Sequence, residues 1–171
     1  LKSQLPKNIK VLKFSEFKDE IKDNIDLLVV GVSSKGIEWV GDEISKFYKS
    51  SMDILLLTKG LAVINNQFET LAEKLNKILM EKGINDSKIS AVGGPCLANG
   101  LVNRIYSSVV LANENLDIVK NIGKMISTKY YSTEYSTDLI GVEVCAATKN
   151  IYSMLIGASE GLSSNNLDNE I

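Results

Sequence analysis

The 171-residue sequence contains no histidine. That absence removes histidine-activated serine or cysteine nucleophiles and histidine-based metal sites from the chemistry available within the chain. The two cysteines, Cys96 and Cys145, form no metal-ligand motif and are too few for a disulfide framework. Reduced thiols in a cytoplasmic protein are expected, and no metal site. Neither sign of charge dominates: 19 basic and 21 acidic residues leave a formal net charge of −2. This argues against a nucleic-acid partner held by phosphate neutralisation. No uninterrupted apolar run approaches the roughly 20 residues of a membrane helix, which points to a soluble chain with no membrane span. No signal-peptide core follows the basic start, so export is not expected. The first residue is Leu1 rather than methionine, which suggests a processed, cut or incomplete product. Proton transfer, if any, falls to Lys, Tyr, Asp or Glu.

What is present is a chain built to fold. Hydrophobic residues make up 44% and charged residues 23%, enough to bury a core in about one domain, or one and a piece of a second. The start is lysine-rich (Lys2, Lys7, Lys10, Lys13, Lys18, Lys22). Ile9 to Phe14 reads as a short strand, and Ser15 to Ile25 as a helix capped by Ser15. Asp26 to Val32 is a continuous apolar run of the kind buried on both faces of a parallel sheet. Ile37, Val40, Ile44 and Phe47 recur at helical spacing. Asp53 to Thr58 is a second buried strand. Phe68, Leu71, Leu75, Ile78 and Leu79 mark another helix, closed by Gly83. Strands are expected at Lys88 to Val92, Ser107 to Ala112 and Lys129 to Glu134, with a helix through Leu116, Val119, Ile122 and Ile126 before the last. Strands alternating with helices predict an α/β fold, a partial Rossmann-like and mostly parallel sheet. Trp39 reads as core, and Tyr130, Tyr131 and Tyr135 as strand and loop packing.

The final segment is different in kind. Asp138 to Leu162 has no turn signal and is apolar on nearly every face, with Thr137 as its cap. A helix of this pattern is expected to be buried all round. It reads as the first long helix of an all-α second domain, so the chain divides into residues 1–137 and 138–171. Residues 163–171 are polar.

Three strand ends carry the candidate chemistry, because ligands of open parallel sheets bind at the carboxyl ends of strands. They are Gly31 to Gly36, Thr58-Lys59-Gly60 and Gly93-Gly94-Pro95-Cys96. Lys59 reads as a cation at the crevice, against the plainer reading of a surface lysine. Lys149 lies mid-helix among small and apolar residues, with positions 145, 146, 152 and 153 on its face. Burial would lower its pKa toward a useful acid/base range. The alternative is a snorkelling lysine or an ion pair with Glu143 or Glu160. Both cysteines read as small buried hydrophobes.

These motifs resemble the NAD(P)-dependent glycerol-3-phosphate dehydrogenase family, from about Asp26 to Leu162. Gly31-Val32-Ser33-Ser34 is similar to the family's V-P-S-like loop, and Thr58-Lys59-Gly60 to its T-K-G. Gly94-Pro95-Cys96-Leu97-Ala98 is similar to its G-P-[ST]-x-A. Ile140-Gly141-Val142-Glu143 through Thr148-Lys149-Asn150 resembles its I-G-V-E-x-x-x-A-x-K-N helix, the most specific of the four. The resemblance implies NAD or NADP as cofactor and interconversion of dihydroxyacetone phosphate and sn-glycerol 3-phosphate. It implies that Lys149 is the catalytic proton donor and that Asn150 supports it. It implies that Lys59 meets substrate and cofactor, that Gly94 and Cys96 border the substrate, that Ala98 contacts the dinucleotide, and that Ser33 and Ser34 line the nicotinamide side. A homodimer of the complete protein is a further implication.

The chain departs from the family at Cys96, where Ser or Thr is usual, at Gly100 in place of Glu, and at Tyr106-Ser107 in place of Pro-Thr. It has no G-x-G-x-x-G, and the family's later Asp and Arg-Asn pair do not occur in it. The chain by itself is therefore expected to be an inactive portion of the enzyme. The alternatives are a related oxidoreductase of the 6-phosphogluconate or 3-hydroxyacid dehydrogenase type, or a non-catalytic Rossmann remnant.

Overall fold

The computed structural model describes residues 5–20 and 25–167. Along the chain run α1 (Phe14–Glu20), β1 (Leu27–Val30), α2 (Ile37–Ile44), β2 (Asp53–Leu56), β3 (Leu61–Ile64), β4 (Gln67–Thr70), α3 (Leu71–Glu81) and β5 (Lys88–Gly93). There follow α4 (Ala98–Val102), β6 (Ser107–Ala112), α5 (Leu116–Ile126), β7 (Tyr131–Ser136) and α6 (Leu139–Leu167). Five strands form one sheet in the order β1-β2-β5-β6-β7, while β3 and β4 form a separate hairpin. Every pairing in the main sheet is parallel except β5 with β6. The fold is mixed α/β, as the alternation of strands and helices predicts.

The apolar runs form strands because both faces of the sheet are covered. Strand alternation sends Ile54, Leu56, Ile89 and Ala91 to one face, where Ile37, Ile44, Leu71, Leu75 and Leu79 of α2 and α3 complete a core. It sends Leu55, Val92, Val109 and Leu111 to the other, against Val119 and Ile122 of α5. Full burial of such side chains contributes about 1.5–3 kcal/mol each.

The third helix is closed at both ends by local chemistry. Thr70 and Glu73 form a reciprocal capping box at its start. At its end the Gly83 and Ile84 amides donate to the Met80 and Leu79 carbonyls, at 2.9 and 3.0 Å. Gly83 takes φ +85°, the left-handed conformation that such a stop needs.

Several expectations are corrected. Residues 9–13 are irregular and exposed rather than a strand, since no strand among the described residues pairs with them. The first helix begins at Phe14, so Ser15 is inside it, and the Lys13 amide is satisfied by Glu16 at 2.8 Å. The expected continuation through residues 21–24, with Lys22, lies outside the described residues, as do Lys2 and the end of the polar tail at 168–171. Trp39 is half-exposed rather than core, its ring tilted 57° against that of Phe14 with centroids 4.7 Å apart.

Phe68 belongs to β4, not to a helix, and is exposed. The β3–β4 hairpin is an element that the sequence pattern does not announce, because its turn is Asn65-Asn66, both at positive φ, without the glycine usual in such a turn. The short helix α4, at five residues, is too brief to show a helical periodicity. The first strand is the edge of the sheet, with Val29 exposed, instead of being buried on both faces.

The last helix is capped by Asp138, whose carboxylate accepts the Gly141 amide at 2.8 Å, rather than by Thr137. It is not buried all round. Its first turns lie on the sheet, but Ile151, Tyr152, Met154, Leu155, Ile156 and Leu162 are each more than half exposed. Nothing among the described residues packs over that second half. By length and composition, Leu139–Ser163 is also long and apolar enough to cross a membrane. Counting only uninterrupted apolar residues overlooks it, because small polar residues are scattered through the helix.

Candidate functional site

The strands β1, β2 and β5 are parallel neighbours, so their carboxyl ends emerge along one edge. Two of the loops there are tied directly. Thr58 Oγ1 donates to the Val32 carbonyl at 2.7 Å. Gly60, at φ +141°, passes so close that an added Cβ would lie 3.4 Å from Ser34 Cβ. Ser33, Ser34 and Lys59 are thereby gathered at one rim, all exposed to solvent.

The third loop opens onto a cleft of about 470 Å³ between the end of β5 and the first turns of α6, its walls formed by Gly94, Pro95, Val110, Cys145, Ala146 and Lys149. Two glycines shape it. A Cβ on Gly93 would come within 2.9 Å of Val142 Cγ1, so glycine lets the helix lie directly on the strand end. Gly94 has φ +126°, and a Cβ there would meet the Val109 and Ser108 backbone at 3.1 and 3.2 Å. Val142, Cys145, Ala146 and Lys149 follow the i, i+3, i+4, i+7 stripe of one helix face. That stripe makes Lys149 part of the wall of a mostly apolar cleft.

The structure thus places Gly94 and Lys149 in the same cleft. Lys149 is exposed, however, and not buried as its neighbours in sequence suggest, because no element among the described residues covers this stretch of α6. Asn150 is exposed on the next face of the helix. Cys96 does not line the cleft. It packs on the opposite side of the sheet with Val92, Leu111 and Tyr131, where burial is the main reason the Tyr131 hydroxyl is pushed up. Ala98 starts α4 and is exposed, and Cys145 is exposed rather than buried.

Sequence reading missed the role of Glu143. Its side chain is 4% exposed, and both carboxylate oxygens accept the Ala72 amide, at 3.2 and 3.3 Å. A carboxylate from α6 therefore sits at the positive end of α3. Burial pushes this carboxyl above its ordinary range. The Thr70 hydroxyl and the Ala72 and Leu71 amides pull it down, and neighbouring Glu73 pushes it up. An acidic residue in the first turns of an apolar helix was the available signal, but its partner lies 71 positions away.

Strand-end loops along a parallel edge, with a lysine-bearing helix across them, define a Rossmann-type α/β domain. The sequence matches the model of the NAD-dependent glycerol-3-phosphate dehydrogenase N-terminus over residues 2–119, and the chain belongs to that family. It is 32% identical over 128 residues to the glycerol-3-phosphate dehydrogenase [NAD(P)+] of Mesoplasma florum, covering 75% of this chain and 37% of that one. It is 29% identical over 145 residues to the NADP(+)-dependent glycerol-3-phosphate dehydrogenase of Archaeoglobus fulgidus, covering 83% and 41%. The chain spans about two fifths of the length of these relatives.

Solved glycerol-3-phosphate dehydrogenases share the fold. That of Plasmodium falciparum superposes with a TM-score of 0.68 at 24% identity, covering 81% of this chain and 37% of that one. That of Coxiella burnetii superposes with a TM-score of 0.63 at 22% identity, covering 81% and 40%.

Proposed function

We propose that this chain supplies the strand-end loops and the catalytic helix of an NAD(P)-dependent glycerol-3-phosphate dehydrogenase, which interconverts dihydroxyacetone phosphate and sn-glycerol 3-phosphate. The observation that carries this is the cleft at the end of β5, where Lys149 of α6 faces Gly94. A ketone held there would have its carbonyl oxygen near the Lys149 ammonium. The bound dinucleotide supplies the hydride. Lys149 Nζ stabilises the alkoxide charge that develops on the ketone oxygen and then protonates it.

The rim fits an oxygen-rich dinucleotide. The Ser33 and Ser34 hydroxyls and the Lys59 ammonium are exposed donors held together by the Thr58 and Gly60 contacts. In this reading they and Ala98 hold the cofactor, while Lys59, Gly94, Cys96, Lys149 and Asn150 meet the substrate. Cys96 would act from the loop backbone, since its side chain faces the other core.

We also propose that residues 1–137 are part of the dinucleotide-binding domain and that α6 opens a helical substrate domain. Its exposed apolar half would then be covered by further helices, in a cytoplasmic enzyme with no membrane span. Glu143, docked on α3, and Lys149, at the cleft, suit that arrangement better than a lipid-spanning one. A homodimer of the complete enzyme fits the same reading.

The test is Lys149→Ala in the protein encoded by the whole reading frame. Reduction of dihydroxyacetone phosphate should fall about 10²- to 10⁴-fold, as loss of a general acid does, with the melting temperature kept. Undiminished turnover would reject the catalytic role. Turnover of a hydroxy acid but not of glycerol 3-phosphate would reject the substrate.

A further inference from the structure

We propose that Glu143 is the positioning residue for Lys149: its buried carboxylate, bound to the first turn of α3, sets where α6 lies and so where the Lys149 ammonium sits at the cleft. The proposal rests on the dehydrogenase reading above for the consequence in turnover, but on geometry alone for the placement.

The second half of α6 is exposed, so its position is decided by its first turns. Leu139 packs against the core at the start of the helix, and two further neighbouring residues hold it there. Val142 lies against Gly93 on the strand end. Glu143 reaches sideways to the Ala72 amide. The first contact is a smooth apolar one between a valine and a glycine. It limits how closely the helix approaches but does little to stop it sliding or turning. The second is directional and charged, and it fixes both motions. Lys149 stands two helical turns beyond Val142 on the same stripe, and about 9 Å along the axis from Glu143. A small rotation at Glu143 is therefore carried to the ammonium.

Glu143 is not needed to start α3. That helix already has its own capping box, in which Thr70 and Glu73 satisfy each other's amides. A second carboxylate, brought from another helix, accepts the buried Ala72 amide that the capping box leaves open, and in doing so it makes a polar tie between α6 and the rest of the core. The groups facing it are the Thr70 hydroxyl, the Leu71 and Ala72 amides and the Glu73 carboxylate. None is a cation, so the tie depends on hydrogen bonding and the helix end rather than on an ion pair.

The experiment compares Glu143→Ala, Glu143→Gln and Glu143→Asp in the full-length protein. Glu143→Ala should lower kcat for ketone reduction by about 10²-fold, the usual cost of an ångström-scale misplacement, with KM nearly unchanged. Glu143→Gln, whose amide oxygen still accepts from Ala72, should recover most of it. If Glu143→Ala does not fold, Glu143→Asp, one methylene shorter, should show the same fall in kcat at retained KM. A second readout needs no turnover. The NMR signal of 13C-methylated Lys149, assigned by its loss in Lys149→Arg, should shift in Glu143→Ala or Glu143→Asp and stay in place in Glu143→Gln. Wild-type turnover absent with the signal shifting would reject the dehydrogenase reading and keep the positioning role. An unshifted signal, or kcat unchanged in a folded Glu143→Ala or Glu143→Asp protein, overturns it.

Discussion

Glu143 shows how one buried acid makes the stability of the fold depend on pH. Burial, the largest influence, raises its carboxyl pKa in the fold, so the folded state binds the proton more tightly than the unfolded chain. Its contribution to stability is full below the unfolded carboxylate pKa of about 4.3 and is lost as pH rises through the higher folded value. Glutamine at this position cannot ionise and keeps an acceptor for Ala72. The melting temperature of Glu143→Gln relative to wild type should therefore rise between acid and neutral pH. Thermal melts at both ends of that range check this, and a difference independent of pH would refute it. Thr58 makes a second residue-scale case. Its hydroxyl ties the β1 and β2 loops through Val32. Thr58→Val should weaken dinucleotide binding by about five- to tenfold, the worth of one hydrogen bond of about 1 kcal/mol or slightly more. Titration of the cofactor by fluorescence would measure it.

Elements here are placed by close backbone approach as much as by apolar area. Gly93 lets α6 touch β5, and Gly94 turns the chain at φ +126° beside the Val109 backbone. Gly94→Ala adds a Cβ against backbone atoms that have nowhere to go, and it forces a residue with a side chain into a conformation that costs about 1–3 kcal/mol. Urea denaturation should show a loss of at least that size, and an unchanged midpoint would mean that the loop relaxes freely. Asp138→Ala should cost about 1 kcal/mol by removing the cap of α6, a smaller effect because only one amide loses its partner. The sheet itself tolerates its single antiparallel joint between β5 and β6, since burial on both faces is the same for either direction.

Taken whole, the molecule has a two-sided core and one long helix that overhangs it. Six large apolar side chains of the overhang are each more than half exposed. Contiguous apolar surface of this kind drives association. The 171-residue chain should accordingly sediment as more than a monomer at about 100 µM and bind a hydrophobic dye. Substituting Ile151, Leu155 and Ile156 with polar residues should reduce both signals. A monomer that binds no dye would show that the exposed helix is not adhesive.

Much of this was determined by local sequence. Strands at Asp53, Lys88 and Ser107, the amphipathic helices through Leu75 and Val119, and the Gly83 stop follow from periodicity and turn chemistry, which act over a few residues. The strand-end loops were legible for the same reason, whereas the small and apolar neighbours of Lys149 pointed to a burial that the fold does not give it. Tertiary structure alone decided the rest. It placed Cys96 on the far face from Lys149, because alternation around a turn depends on how the loop is packed. It made β1 an edge, because strand order is set by which neighbours are present. It paired Glu143 with the start of α3, because a buried charge settles on whichever unsatisfied amides the fold brings to it, and sequence distance carries no information about that meeting.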